Sequence, residues 1–361
     1  MRIVIFAGGT GRRLWPISRA SSPKQFEPIV GDASTLQLAV ARVAPIYSFD
    51  SIFIATNARY LPIVREQLPS VPAVNILIEP ARRDLGPAVG LAMAHLARLD
   101  ADESVAILWS DNYIENVPAF VELLRAAETL IADKLADILF IGETPRFANE
   151  NLGWIGLGEF AGRAGDLPYY GFKSLTYRPS LERCREMFEQ GTHVWNTGFF
   201  VTTPAYVRRL YARHSPEMWR QLSEIEATIG TDRYEQTLQH IYPTMPAIHF
   251  DDAILTHVDP ERALVLHSEM GWSDPGTLYA LKEALDTDTA ANVTTGLVID
   301  TASKDSLIYN YEARKLVVAV GLEGMIVVNT DDAILVVHKD SIPLVKEVIN
   351  GLQGTELESY S

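Results

Sequence analysis

The chain opens on a short apolar run, residues 3–7, that meets Gly8, Gly9 and Gly11 almost at once. A run of that length bounded by glycine reads as a buried strand over residues 2–6 followed by a loop, with a helix expected from about Thr35. Comparable β-rich runs recur at 51–56, 74–78, 105–109 and 138–141, and helical spacing places helices near 60–68, 87–99 and 118–134 between them. Asn116 is suited to cap the last of these, and Pro118 falls in the first turn, where a missing N–H costs little. Strands alternating with helices at this spacing indicate βαβ units with right-handed crossovers, hence a Rossmann-like, mostly parallel mixed sheet flanked by helices. In such sheets ligands bind beyond the carboxyl ends of the strands, and the glycine loop occupies that position.

From about Gly153 the alternation loosens. GWIGLGEF, YYGFKSLTY and HVWNTGFFVTT read as antiparallel strands, with a helix at 181–190 between the last two. After Leu285 the texture changes to short β-branched runs separated by polar or glycine turns, closed by a helix at about 342–352. These shifts predict an α/β catalytic domain over residues 1–286 and a small C-terminal β-rich domain over 287–361. No clean hexapeptide period is visible there, so a β-helix-like arrangement is only faintly written.

Composition narrows the class. With 47% apolar and 21% charged residues over 361 positions, the chain is that of a folded protein large enough for one main core and a smaller one. The lone cysteine, Cys184, excludes an intrachain disulfide and a cysteine-built zinc site, and is read as a half-buried helix thiol in a reducing compartment. The first apolar run is too short for a secretion signal and no later one reaches about 18 residues, so the expectation is a cytoplasmic protein without a membrane partner. His95, on an apolar helix, is read as a packing residue.

An excess of 46 acidic over 31 basic side chains argues against a nucleic-acid partner. Against that background, AGGTGRRLWPISRASSPKQF (residues 7–26) holds three glycines, four cations and no acid. Its spacing fits neither a dinucleotide fingerprint nor a Walker loop. What remains is a loop that brings backbone N–H groups toward a phosphate while Arg12, Arg13, Arg19 and Lys24 neutralise it, or else a surface turn with solvated cations.

The continuation LWPISRASSPKQF carries a resemblance. Residues 7–26 resemble the signature AGGxGxRLWPxSRxxxPKQF of the sugar-1-phosphate nucleotidylyltransferases, within them the mannose-1-phosphate guanylyltransferase branch. EPARRDLGPAVGLA (79–92) looks like that branch's EPxxRNTAPAIALA, LWSDNYI (108–114) like xPADHxI, VWNTGFF (194–200) like WNSGMF and GWSDPGT (271–277) like GWSDVGS, so the likeness spans roughly the whole chain.

The resemblance implies attack by a phosphate oxygen of mannose 1-phosphate on the α-phosphorus of GTP, with pyrophosphate leaving and Mg²⁺ as counter-ion. Arg13 and Lys24 are the implied catalytic residues. Gly8, Gly9, Thr10, Gly11, Arg12, Glu79, Arg83, Asp84 and Pro87 are implied on the nucleotide side, and Asp111, Gly153, Tyr177, Arg178, Asn196 and Gly198 on the sugar side. Asp111 and Asp274 are the implied metal ligands. Asp84 is open between reading guanine donors and capping a helix, Arg12 and Arg19 between phosphate and solvent, and Trp195 is read as wall or core. No general base is needed, because a phosphate monoester with a second pKa of about 6 is already largely dianionic.

The match has gaps. The branch's VEKP aligns with TYRP, so Tyr177 and Arg178 replace a Glu-Lys pair; ADH becomes Ser110-Asp111-Asn112; and Thr256 stands where a glutamate is expected. These departures weaken the inference to mannose more than that to nucleotidyl transfer. Another sugar 1-phosphate, glucose or heptose, another nucleotide, and an inactive nucleotide-sugar-binding subunit all stay open. The chain is expected to lack a sugar-phosphate isomerase domain, and its C-terminal portion to pack on the catalytic one or to mediate a homodimer.

Overall fold

The computed structural model describes residues 1–9, 14–19, 21–286, 288 and 290–360. It separates into two compact units, one of residues 1–8, 39–110 and 114–272, the other of 9–38, 111–113 and 273–361. Arg13, together with Thr10, Gly11 and Arg12, lies outside the described residues.

The first unit is built on nine strands: β1 (Arg2–Phe6), β2 (Ile52–Asn57), β3 (Ile76–Glu79), β4 (Val105–Trp109), β5 (Ile138–Glu143), β6 (Gly153–Ala164), β7 (Leu167–Tyr177), β8 (His193–Thr202) and β9 (Ala263–Ser268). Their spatial order is β3-β2-β1-β4-β8-β5-β9-β7-β6. The first four pair in parallel, as do β5 and β9. Strand β8 runs antiparallel between β4 and β5, and β6 and β7 also pair antiparallel. The two textures of the sequence thus become two halves of one mixed sheet. The parallel half is buried along nearly its whole length, which fits strands that read as continuous apolar runs.

The helices are α1 (Thr35–Val43), α2 (Leu61–Gln67), α3 (Leu85–Leu99), α4 (Val117–Ala132), α5 (Leu181–Gln190), α6 (Pro204–His214), α7 (Pro216–Glu226), α8 (Tyr234–Ile241), the single turn α9 (Phe250–Ala253), α10 (Leu278–Leu285) and α11 (Ile342–Leu352). Asn116 caps α4 as expected, accepting from Ala119 N at 3.2 Å. Several boundaries differ from the sequence reading. A 3-10 turn at Ala58–Tyr60, capped by Asn57, precedes α2, and another at Ala73–Asn75 delays β3 to Ile76. Helix α4 stops at Ala132, and Lys134 beyond it takes a positive φ of 59°.

Helix α3 is buried on nearly every side. A Cβ on Gly90 would meet Leu222 Cδ1 of α7 at 2.4 Å, so the glycine sets how closely these helices pack. His95 is a packing residue: its Nε2 meets the Tyr234 hydroxyl at 2.6 Å, and burial pulls its pKa down to about 4. Cys184, expected half-buried, is fully buried, with its thiol 3.3 Å from the Asn149 carbonyl. Trp195 is core, edge-on to Trp154 and Phe147.

The second unit contains α10, α11 and six short strands: β10 (Val293–Thr295), β11 (Val298–Thr301), β12 (Leu307–Asn310), β13 (Val317–Val320), β14 (Met325–Asn329) and β15 (Ile334–His338). Strands β10, β12 and β14 stack in parallel, β11 and β13 stack likewise, and β15 closes one sheet antiparallel. This is a short parallel β-helix. Leu307 pairs with Ile326 and Val298 with Val317, in both cases 19 positions apart, whereas Val293 pairs with Leu307 after only 14. A hexapeptide search cannot see coils of that size. Their stack is marked instead by Asn310 and Asn329, also 19 apart, whose side chains hydrogen-bond at 2.7 Å.

The core of this unit draws on both ends of the chain. Leu307, Tyr309, Ile326 and Val328 from the strands and Leu278 and Leu281 from α10 enclose Leu14, Ile17 and Ile29. Each buried side chain of this size contributes roughly 1.5–3 kcal/mol. The cation-rich segment is therefore anchored by its own apolar residues.

Candidate active site

Strands β1 and β4 are parallel neighbours, Phe6 opposite Trp109, and the Ser110 backbone N–H and hydroxyl both donate to the Phe6 carbonyl at 3.2 and 2.8 Å. From β1 the chain moves outward to β2 and β3, whereas β4 lies on the other side of β1. This is the reversal of strand order at which α/β sheets place ligands. The carboxyl ends of β1 and β4 lead into the glycine loop and Asp111.

Within the second unit, Lys24 begins a 3-10 turn, Lys24–Phe26, after Pro23, and is only 5% exposed. Its Nζ lies 2.7 Å from Asp111 Oδ2 and 3.4 Å from Asp274 Oδ1. The segments carrying the aspartates are joined by a backbone bridge in which Tyr113 and Ser273 exchange two hydrogen bonds of 3.0 Å. Gln25 Nε2 donates to the Gly9 carbonyl at 2.7 Å, linking this turn to the glycine loop. A lysine and two aspartates separated by up to 250 positions thus share one ion cluster. The two carboxylates, 33% and 39% exposed, outnumber the one ammonium. Two hard oxygen donors with open sides suit a divalent ion that completes its shell with water and phosphate oxygens. Among the described residues no three His, Cys, Asp or Glu side chains form a metal cage.

The first unit gathers the other candidates in two groups. Glu79 ends β3, buried, with one oxygen beside Gly8 and the other accepting from the Tyr242 hydroxyl at 2.6 Å. Burial raises its pKa to about 7, the tyrosine opposes that rise, and the charge of Asp84 adds to it. Asp84 takes a φ of 64° and caps α3, accepting from Leu85 N at 2.9 Å, while its other oxygen lies 3.5 Å from His249 Nε2. The helix thus starts two residues before Pro87, which sits inside its first turn. Arg83 donates through Nη2 to the Pro243 carbonyl.

The second group lies on one rung of the antiparallel half. Gly153 of β6 is paired with both Tyr177 of β7 and Asn196 of β8. Asn196 Oδ1 accepts from Gly198 N at 2.9 Å. Gly198 has a φ of 76°, and a Cβ there would come within 2.4 Å of Trp109 Nε1, so packing demands the glycine. Tyr177 is 71% exposed, with the Arg178 guanidinium 5.2 Å from its ring centroid. Thr256 is exposed and donates to the Asp252 carbonyl.

One residue escaped the sequence reading. Glu143, at the end of β5 and 1% exposed, accepts from Met270 N and Gly271 N, each at 3.1 Å. Burial raises its pKa to about 7, although these N–H groups, that of Trp272 and the Arg146 charge pull the other way. The signal was available: ILIE, VAILWSD and ILFIGE are three apolar strands that each run into an acid at the carboxyl end.

Residues 2–291 match the model of the nucleotidyl transferase family, and residues 296–352 that of the MannoseP isomerase/GMP-like beta-helix domain. The chain belongs to the nucleotidyl transferase family, whose members act on nucleotide and sugar-phosphate substrates. It is 30% identical to the mannose-1-phosphate guanylyltransferase RfbM of Salmonella typhimurium over 99% of this chain and 73% of that one. Its identity to a mannose-1-phosphate guanylyltransferase of Klebsiella pneumoniae is also 30%, over 99% and 75%. The crystal structure of a Thermus thermophilus protein named mannose-1-phosphate geranyltransferase superposes with a TM-score of 0.84 at 27% identity, covering 98% of this chain and 99% of the other.

Proposed function

We propose that this protein transfers GMP from GTP to mannose 1-phosphate, giving GDP-mannose and pyrophosphate with Mg²⁺ as cofactor. The observation that carries the reading is the ion cluster, in which one buried ammonium is shared by two carboxylates. A reaction between two polyanions needs positioning and charge neutralisation above all else. Lys24 supplies a compact fixed cation for the triphosphate, and Arg13 is assigned the neighbouring phosphate grip on its place in the signature. Asp111 and Asp274 would hold the metal, which when bound neutralises phosphate charge and orients the oxygens around it. The Gly8–Glu79–Asp84 group is assigned to the nucleotide and the Gly153–Tyr177–Asn196 rung to the sugar. No helix among the described residues is long and apolar enough to cross a membrane, and we place the enzyme in the cytoplasm.

A pyrophosphate-release assay crossing GTP, ATP, UTP and dTTP with mannose, glucose and heptose 1-phosphates tests this. GTP with mannose 1-phosphate should lead, and turnover should require a divalent metal. The exposed Tyr177 beside Arg178, in place of the Glu-Lys pair, is the feature that would favour another sugar. A heptose or glucose phosphate outrunning mannose would replace the sugar in this reading, and no pyrophosphate from any pair would remove the reaction.

A further inference from the structure

The segment that leads to Asp274 has its backbone groups taken up one after another. Met270 N and Gly271 N donate to the two oxygens of Glu143, and the Met270 carbonyl accepts from Asn116 N at 2.9 Å. The Trp272 carbonyl accepts from Arg146 Nη2 at 3.2 Å, and Ser273 exchanges both its bonds with Tyr113. Gly271 holds a φ of 63°, a turn no ordinary residue adopts without strain. The only side chains in this set are Glu143 and Arg146, three residues apart at the end of β5 and 3.9 Å from each other. Arg146 is further fixed over the Trp195 ring, 5.4 Å from its centroid.

We propose that Glu143 and Arg146 are positioning residues that set the exit direction of the 270–273 turn and thereby aim Asp274 at the metal. The proposal rests on the assignment of Asp274 as a metal ligand above. A glutamate can take two N–H donors at once, one on each oxygen. Glutamine cannot: its amide nitrogen would face a backbone N–H, donor against donor, and one clamp bond would be lost. Groups that hold a metal ligand in place typically change affinity or activity 10- to 100-fold when removed.

The test uses the full chain with Mn²⁺ as probe. One readout is the Mn²⁺ concentration that half-saturates the rise in unfolding temperature; the other is the metal concentration for half-maximal pyrophosphate release. Glu143→Gln should shift both upward by about tenfold or more while leaving KM for the sugar phosphate within about twofold. Arg146→Ala, which leaves the two N–H bonds to Glu143 in place, should shift both in the same direction by less, and it serves if the glutamine variant fails to fold. Wild-type metal dependence in a folded Glu143→Gln or Arg146→Ala chain overturns the proposal. Because the thermal readout needs no turnover, a wild-type protein that binds Mn²⁺ but makes no pyrophosphate would sink the proposed reaction and leave the clamp still measurable.

Discussion

The two units hold their carboxylates in opposite ways. In the second, Asp111 and Asp274 are about a third exposed and share the ammonium of Lys24. In the first, Glu79 and Glu143 are buried, receive neutral N–H and O–H donors, and are pushed up to about 7. Carboxylates that share a cation and keep open sides can exchange that cation for a metal. Carboxylates buried mainly among neutral donors sit between charged and neutral forms near pH 7. The difference separates partly exposed acids that share a cation from buried acids whose oxygens are already engaged by neighbouring N–H and O–H groups.

The largest expected effect breaks the cation side of this contrast. Lys24→Ala should lower kcat by about 10²–10³-fold, the range seen when one preorganised charge-stabilising donor is removed. Its unfolding temperature should stay close to wild type, since Leu14, Ile17 and Ile29 still anchor the segment. Turnover within threefold of wild type would show that the cluster is a structural ion pair.

Next comes the buried side. The folded-state pKa of Glu79 lies above that of the unfolded chain, so its protonated form is the one folding favours. Stability from this group is complete below about 4.5 and is lost as pH rises through about 7. Glu79→Gln cannot ionise, so it should gain on wild type as pH goes from 4 to 8, by up to about 3 kcal/mol in denaturant melts. A difference that stays flat with pH would mean that folding leaves the Glu79 pKa unchanged.

A smaller effect tests whether the segment's seat depends on the β-helix stack. Asn310 donates to the carbonyls of Leu297 and Lys315 at 3.0 and 2.7 Å and accepts from Asn329. Asn310→Ala should cost about 1–3 kcal/mol, because it leaves buried partners unsatisfied. The loss should appear as faster amide exchange in residues 293–329 and in 14–29, with the strands β1–β5 unchanged. Exchange that quickens only in β1–β5 would put the damage in the wrong unit.

How much of this was written in the chain depends on range. Local chemistry was legible: the Asn116 cap with Pro118 after it, helix α5 and the closing helix at 342–352. Three separate motifs of the resemblance, at 7–26, 108–114 and 271–277, named Lys24, Asp111 and Asp274, and folding brought them together. Arrangements fixed by distant partners left little trace. Leu14, Ile17 and Ile29 lie in irregular backbone with no periodicity, and their partners near Leu307 and Ile326 are roughly 300 positions away. The β-helix coils were too long and uneven for a short-period search. Of the two roles left open for Asp84, the helix cap is the one its side chain makes, with Oδ1 accepting from Leu85 N.

The smallest expected effect lies on the same cation-rich segment. Arg19 and Lys24 are five positions apart, yet their partners differ in kind. Arg19 Nη2 meets Asp332 at 2.6 Å, with that aspartate 41% exposed, and Nη1 donates to the Tyr360 carbonyl at 3.1 Å. Trp15 Nε1 reaches that same carbonyl at 2.7 Å, so both side chains hold the end of the chain. A partly exposed ion pair of this sort contributes about 0.2–1 kcal/mol. A double-mutant cycle of Arg19→Ala and Asp332→Ala should therefore give a coupling below about 1 kcal/mol, and Arg19→Ala should keep turnover within about fivefold. A loss comparable to that of Lys24→Ala would move Arg19 to the phosphate side and erase the distinction between the two cations.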